Sequence, residues 1–151
     1  MVAALLAAVL GFGIGDARAT ARPPEKADYI LVLKAERKLL LLRHGRVIRA
    51  YPIALGPHPV GPKRTMDDGR TPEGVYVIDG RNAHSQYRLS LHISYPNASD
   101  RAQSAVAHGD PGGNIFIHGL PARFGLYNPD RFYKDWTRGC ISVGNSAIQE
   151  I

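Results

Sequence analysis

The chain has 151 residues, 44% of them hydrophobic, with 19 Lys and Arg against 13 Asp and Glu and a formal net charge of +6. That length makes one domain with one core, and no second domain is expected. A single cysteine, Cys140, excludes an intrachain disulfide, and bases scattered singly rather than clustered with aromatics argue against nucleic acid as the partner.

Residues 2 to 15, VAALLAAVLGFGIG, form an apolar run as long as a signal-peptide core and too short for a comfortable membrane span. Ala17-Arg18-Ala19 follows as a small-x-small cleavage site, so residues 1–19 read as an export signal and the mature chain as starting near Thr20. No Lys or Arg precedes the apolar run, which departs from the usual signal, and no Cys follows it, which argues against a lipid anchor. The expected location is the periplasm or the exterior, with no membrane span left after cleavage. In such a protein a lone cysteine points to intermolecular pairing or to a reactive thiol. The signal holds one acid, Asp16, and one base, Arg18, so the mature part keeps 18 bases and 12 acids and the whole positive charge. An anionic small substrate or an anionic wall polymer suits that balance.

Residues 20–28 read as a Pro-containing linker. Tyr29 to Leu33, Lys38 to Leu42 and Val47 to Ala54 read as strands, the last two joined by a hairpin turn at His44-Gly45. The Gly- and Pro-rich run from Gly56 to Gly74 predicts loop, and Val75 to Asp79 predicts the next strand. Tyr87 to Ile93 alternates as a strand ended by Tyr95-Pro96-Asn97. Asp100 to Ala107 predicts one or two helical turns, and Asn114 to Ile117 a short buried strand after the Asp110-Pro111-Gly112-Gly113 turn. Pro129 to Trp136 reads as a short helix, and Ser146 with Gln149 has capping-box spacing for a last one. Short strands between turn-rich loops make the fold mostly β.

His118 follows the apolar strand Asn114–Ile117 and precedes Gly119, at a strand's mouth where side chains converge. A free thiol is mostly protonated at neutral pH and becomes a strong nucleophile when a histidine takes its proton. Cys140 and His118 would supply that pair. The imidazole needs an acceptor for its other nitrogen. No acid lies near His118 in sequence, so the carbonyl of Gly119 is the first candidate. The amides of Arg138, Gly139 and Cys140 are candidate donors to a developing oxyanion. Taken singly, each signal fits a buried structural Cys or a hydrogen-bonded structural His equally well.

Jointly, the segments resemble the L,D-transpeptidase catalytic domain, also called YkuD-like. The matching stretches are Gly69-Arg70-Thr71-Pro72-Glu73-Gly74-Val75-Tyr76, Ile117-His118-Gly119, and Thr137-Arg138-Gly139-Cys140-Ile141-Ser142-Val143. Ser94 to Asn97 with Asp100, and Pro111 to Phe116, are similar to the periplasmic murein-modifying branch. The resemblance covers residues 29–151 and implies a β-rich, sandwich-like domain with a few short helices. It implies a cysteine acyl-enzyme acting on peptidoglycan tetrapeptide stems, in cell-wall biogenesis and cell shape, without metal or other cofactor. By matching position Cys140 is the nucleophile, His118 its base and Gly119 the source of the acceptor carbonyl. Gly139 belongs to the oxyanion site with Tyr95 near it; Thr137 and Arg138 face the substrate, Arg138 toward a carboxylate, with Trp136 as an apolar wall. Peptide stems are the implied partners, with an anchored envelope protein as a further acceptor or substrate. Two departures stand out. Family domains usually continue past the cysteine helix into another strand, and Ser142 stands where many members carry Arg.

Other chemistries compete. A zinc site from His92, His108, His118 and Cys140 lacks any short paired ligand spacing. Papain-like enzymes place Cys before His, the reverse of this order, and a sortase needs an Arg downstream of Cys, absent here. The same thioester passed to water makes a hydrolase of stems or of protein links. A non-catalytic wall-binding module would need no Cys.

Overall fold

The computed structural model describes residues 25–121 and 134–151. The predicted signal, 1–19, and most of the linker lie outside the described residues.

Strands β1 (Tyr29–Leu33), β2 (Lys38–Arg43) and β3 (Arg46–Pro52) form an antiparallel sheet in that order. His44 and Gly45 both take positive φ, 49° and 76°, the conformation that lets a two-residue turn follow the strands' twist. The second sheet has the order β4 (Ile78–Ser85), β5 (Arg88–Ile93), β6 (Phe116–His118), β7 (Ile141–Ser142). β4, β5 and β6 are mutually antiparallel, whereas β7 runs parallel to β6. A parallel neighbour needs a long crossover, and the chain between His118 and Ile141 supplies it. Past β3, Ala54 bridges to Ser142 and ties the first sheet's chain to β7.

Both sheets bury one core. Leu39, Leu41, Ile53 and Leu55 come from the first half, Ile93, Ile115, Ile117, Ile141 and Val143 from the second. Ala147 and Ile148 of helix α2 (Asn145–Glu150) close it. The result is the expected mostly β architecture with two short helices among the described residues.

Four local expectations shift. Val75 to Asp79 is not the strand: Val75 and Val77 are 77% and 64% exposed, and β4 starts at Ile78, where pairing with Ile93 begins. Its continuation through Asp79-Gly80-Arg81-Asn82 carries no alternating signal, because β4 is an edge strand with exposed side chains on both faces. The strand expected over Asn114–Ile117 forms two residues later, as β6. Helix α1 (Ala98–Val106) begins before Asp100 because Asp100 is its third residue, closing a capping box with Asn97. Ser146 is not an N-cap: it lies inside α2, whose N-cap is Gly144, without a side-chain bond. The helix expected over Pro129–Trp136 falls mostly outside the described residues, and 134–136 are not helical.

Candidate active site

The 56–74 segment is irregular in outline yet cross-braced. Lys34 Nζ donates to the carbonyls of Gly61 and Thr71, both at 2.7 Å, and to Glu73 at 2.8 Å. Asp68 accepts from the Lys63 ammonium and from the amides of Arg64, Thr65 and Arg70. Burial would raise its pKa, but those hydrogen bonds outweigh it and bring the carboxyl down to about 2. This brace positions the cysteine turn, because Arg70 lies against Gly139. A Cβ on Gly139 would sit 2.6 Å from the Arg70 carbonyl oxygen, and Gly139 has φ of 120°. Only glycine satisfies both demands. On the other side Asp135 takes the Leu55 amide at 2.9 Å and the Arg37 guanidinium at 2.6 Å, while Thr137 N–H bonds the Leu55 carbonyl.

Between these braces, Cys140 immediately precedes β7 and His118 ends β6, with Ser142 opposite His118 in parallel register. His118 is 4% exposed, and its Nδ1 lies 2.7 Å from the Gly119 carbonyl. A carbonyl only accepts, so Nδ1 carries the proton and, in the neutral ring, Nε2 presents a lone pair. Tyr87 stacks on the imidazole with centroids 4.4 Å apart, and Trp136 meets it edge-on at 5.8 Å. Asn145 fixes the next residues by accepting the Leu120 amide at 2.8 Å. Burial pushes the His118 pKa below its ordinary value, the Gly119 bond opposing; burial pushes the Cys140 thiol up, the Phe116 amide and the Lys63 charge opposing. The resting pair is therefore neutral thiol and neutral imidazole. The thiol donates to the Asn114 carbonyl at 3.7 Å, not to the imidazole.

The other expected residues fall differently. Gly139 N–H donates to Thr137 Oγ1 at 3.2 Å, and that hydroxyl donates to the Cys140 carbonyl at 2.7 Å. Thr137 thus clamps the turn, and the Gly139 amide is committed within it. Tyr95 is 3% exposed and its hydroxyl donates to the Pro111 carbonyl, with burial first among the causes that raise its pKa to about 12. It makes no hydrogen bond to the cysteine turn. Arg138 is exposed, and with Thr137, Trp136, Asp135, Asp67, Gly69 and Pro57 it lines a cleft of about 470 Å³. His92 bonds Asp79, and among the described residues no cluster of three or more His, Cys, Asp or Glu could hold a metal ion. Sequence reasoning missed Asp135, Asn145 and Tyr87. An acid two residues before the Thr-x-Gly-Cys run was a signal for the first, whereas nothing local marks the other two.

No helix among the described residues is long and apolar enough to cross a membrane. YafK of Escherichia coli strain K12, provisionally named an L,D-transpeptidase, is 33% identical over 132 residues, covering 80% of this chain and 51% of that protein. The chain thus spans about half the length of the YafK proteins it matches. Among solved structures, the helical cell shape determining protein Pgp2 from Campylobacter jejuni matches with a TM-score of 0.61 and 28% identity, over 80% of this chain and 41% of that one. Bd1075 from Bdellovibrio bacteriovorus matches at 0.52 and 28%, with the same coverage. An L,D-transpeptidase from Xylanimonas cellulosilytica shares the fold at 0.51 and 16% identity, over 85% and 54%. The L,D-transpeptidase catalytic-domain profile, YkuD, matches residues 27–151, and the chain belongs to that family.

Proposed function

We propose that this chain is a cysteine acyltransferase that exchanges peptide bonds in peptidoglycan stems, with Cys140 as nucleophile and His118 as general base. The observation that carries the reading is the buried His118, its Nδ1 held at 2.7 Å by the Gly119 carbonyl, on the strand parallel to the one Cys140 leads into. His118 Nε2 takes the thiol proton as Sγ attacks the stem carbonyl that follows the third residue. The C–N bond breaks, the imidazolium returns the proton to the leaving terminal D-alanine, and a thioester remains. An acceptor amine then attacks the thioester, gives its proton to His118, and the sulfur leaves to regain it. With the Gly139 amide bonded to Thr137, the Arg138 and Cys140 amides are the oxyanion donors in this scheme. Arg138, exposed at the cleft, meets a substrate carboxylate. Residues 1–19 direct the chain out of the cytoplasm, where its substrate lies. A relative named for determining helical cell shape accords with a wall substrate.

The test is incubation of the protein, and of Cys140→Ala, with defined tetrapeptide muropeptides, read by mass spectrometry. Dimers joined through two diamino-acid residues are the expected products. Free tripeptide stems would mean that water resolves the thioester, and release of a wall-linked protein would mean hydrolysis of an anchor. No turnover of any of these by a protein whose Cys140 is reactive would defeat the substrate assignment.

A further inference from the structure

The sheet face that carries His118 holds a row of three buried polar side chains. Ser90 on β5 pairs with His118 on β6, and His118 pairs with Ser142 on β7. The three are 5%, 4% and 0% exposed. Directly paired residues put their side chains on the same side of a sheet, so a serine flanks the imidazole on each side. The two flanks are not equivalent. Ser142 stands two residues after Cys140, so it shares the thiol's face and lies on the flank from which the thiol approaches. Its backbone is fixed, with N–H and carbonyl both bonded to Ala54 at 2.9 Å. Its hydroxyl, in contrast, has no hydrogen-bond partner among the described residues. A fully buried, unpaired hydroxyl is unfavourable at rest, and such groups tend to have a use elsewhere in the working cycle.

We propose that Ser142 is a positioning residue whose hydroxyl serves His118 Nε2 through the proton transfer, an inference that rests on the reading of Cys140 and His118 as nucleophile and base. The neutral ring, its Nδ1–H held by Gly119, offers a lone pair at Nε2, and the imidazolium offers an N–H there. A hydroxyl meets both states, donating to the first and accepting from the second. When the thiol proton moves to Nε2, the S–H electron pair stays on sulfur and the new N–H donates to Ser142 Oγ, so the imidazolium keeps two acceptors inside a dry site. The titratable groups about the ring are the Tyr87 phenol, from the turn between β4 and β5, and the Cys140 thiol, which has the Lys63 ammonium in its field. None of these supplies a second neutral acceptor on the β7 flank. An Arg at this position, as many family members have, would set a charge beside the imidazolium instead.

The experiment is the rate of Cys140 alkylation by iodoacetamide against pH, on the wild type, Ser142→Ala, Ser142→Thr, His118→Ala and the Ser142→Ala/His118→Ala double variant. Ser142→Ala is expected to alkylate about tenfold more slowly near neutral pH, the size of a hydrogen bond to a charged group, with the profile displaced to higher pH. Ser142→Thr should restore most of the rate, and in the His118→Ala background Ser142→Ala should change nothing further. Because the lost hydroxyl is unpaired at rest, Ser142→Ala should keep its Tm. A Ser142→Ala profile that superposes on the wild type overturns the inference, as does an equal slowing with and without His118. A Thr variant as slow as the Ala variant at unchanged Tm does so too. Alkylation needs no muropeptide, so a Ser142-dependent thiol in a protein that turns over no stem supports this inference while defeating only the substrate assignment.

Discussion

Two histidines on one face of the second sheet are held in opposite ways. His92 on β5 sits beside Phe116 and reaches an exposed Asp79 carboxylate on β4, at 2.5 Å. His118, two residues along from Phe116, is buried between Tyr87 and Trp136 and bonded only to the uncharged Gly119 carbonyl. An exposed ion pair is screened by water and contributes little to either fold or reactivity. A buried ring on a neutral carbonyl has its tautomer fixed and its proton affinity lowered together, leaving Nε2 as a bare lone pair. Chemistry is thus assigned by burial and by partner type more than by residue type.

The sharpest break of this comparison is to remove each ring. His118→Ala should cut acyl transfer by about 10²–10⁴-fold, while His92→Ala should leave it within about twofold of wild type, its surface pair being of small energetic consequence. Comparable losses in steady-state assays of the two variants would show that the contrast between the sites has no functional meaning. Next in size is Gly139→Ala, which drives a Cβ to 2.6 Å from the Arg70 carbonyl at a φ that side chains rarely adopt. It should cost about 1–3 kcal/mol of stability in a denaturant titration, and slow Cys140 alkylation by displacing the turn. An unchanged midpoint would mean that the brace between the 56–74 segment and the cysteine turn is slack.

A smaller effect separates the sites by pH. The folded His118 pKa is lowered below its ordinary 6.5, so its contribution to stability is complete above that pH and is lost as pH falls through the folded value. The Cys140 pKa is raised above its ordinary 9.0, so its contribution is complete below that pH and is lost as pH rises through the folded value. The difference in melting temperature between wild type and the His118→Ala variant should therefore change on acidification below 6.5, and that between wild type and Cys140→Ala on alkalinisation above 9.0. Flat differences across both windows would contradict the neutral resting pair. The smallest effect belongs to Asp79→Asn, which should move stability by no more than about 0.5 kcal/mol and leave the alkylation profile of Cys140 in place.

How much of this was legible in the residues depends on where the information lies. The hairpin at His44-Gly45 and the strands around it were readable because turn chemistry and apolar runs are local. β4 was not, because an edge strand exposed on both faces has no alternation to read, and Val75 and Val77 imitated a strand while facing solvent. The last helix was misread at its start because Ser146 with Gln149 offered a capping spacing, whereas Gly144 became the cap and Asn145 was engaged by Leu120.

By itself the sequence determined the β-rich class, the family, and the candidate pair of Cys140 and His118 with Gly119 beside it, because those rest on residue identity and on contacts between chain neighbours. Tertiary structure decided what surrounds the pair. Tyr87, Trp136 and Ser142 reach His118 from three separate stretches of chain, Asp135 and Arg70 fix the cysteine turn from two more, and Tyr95 turns away to Pro111. Burial and hydrogen-bond partners come from chain segments tens of residues apart. They set which groups are neutral and which hydroxyl is left unpaired, and no window of sequence contains them.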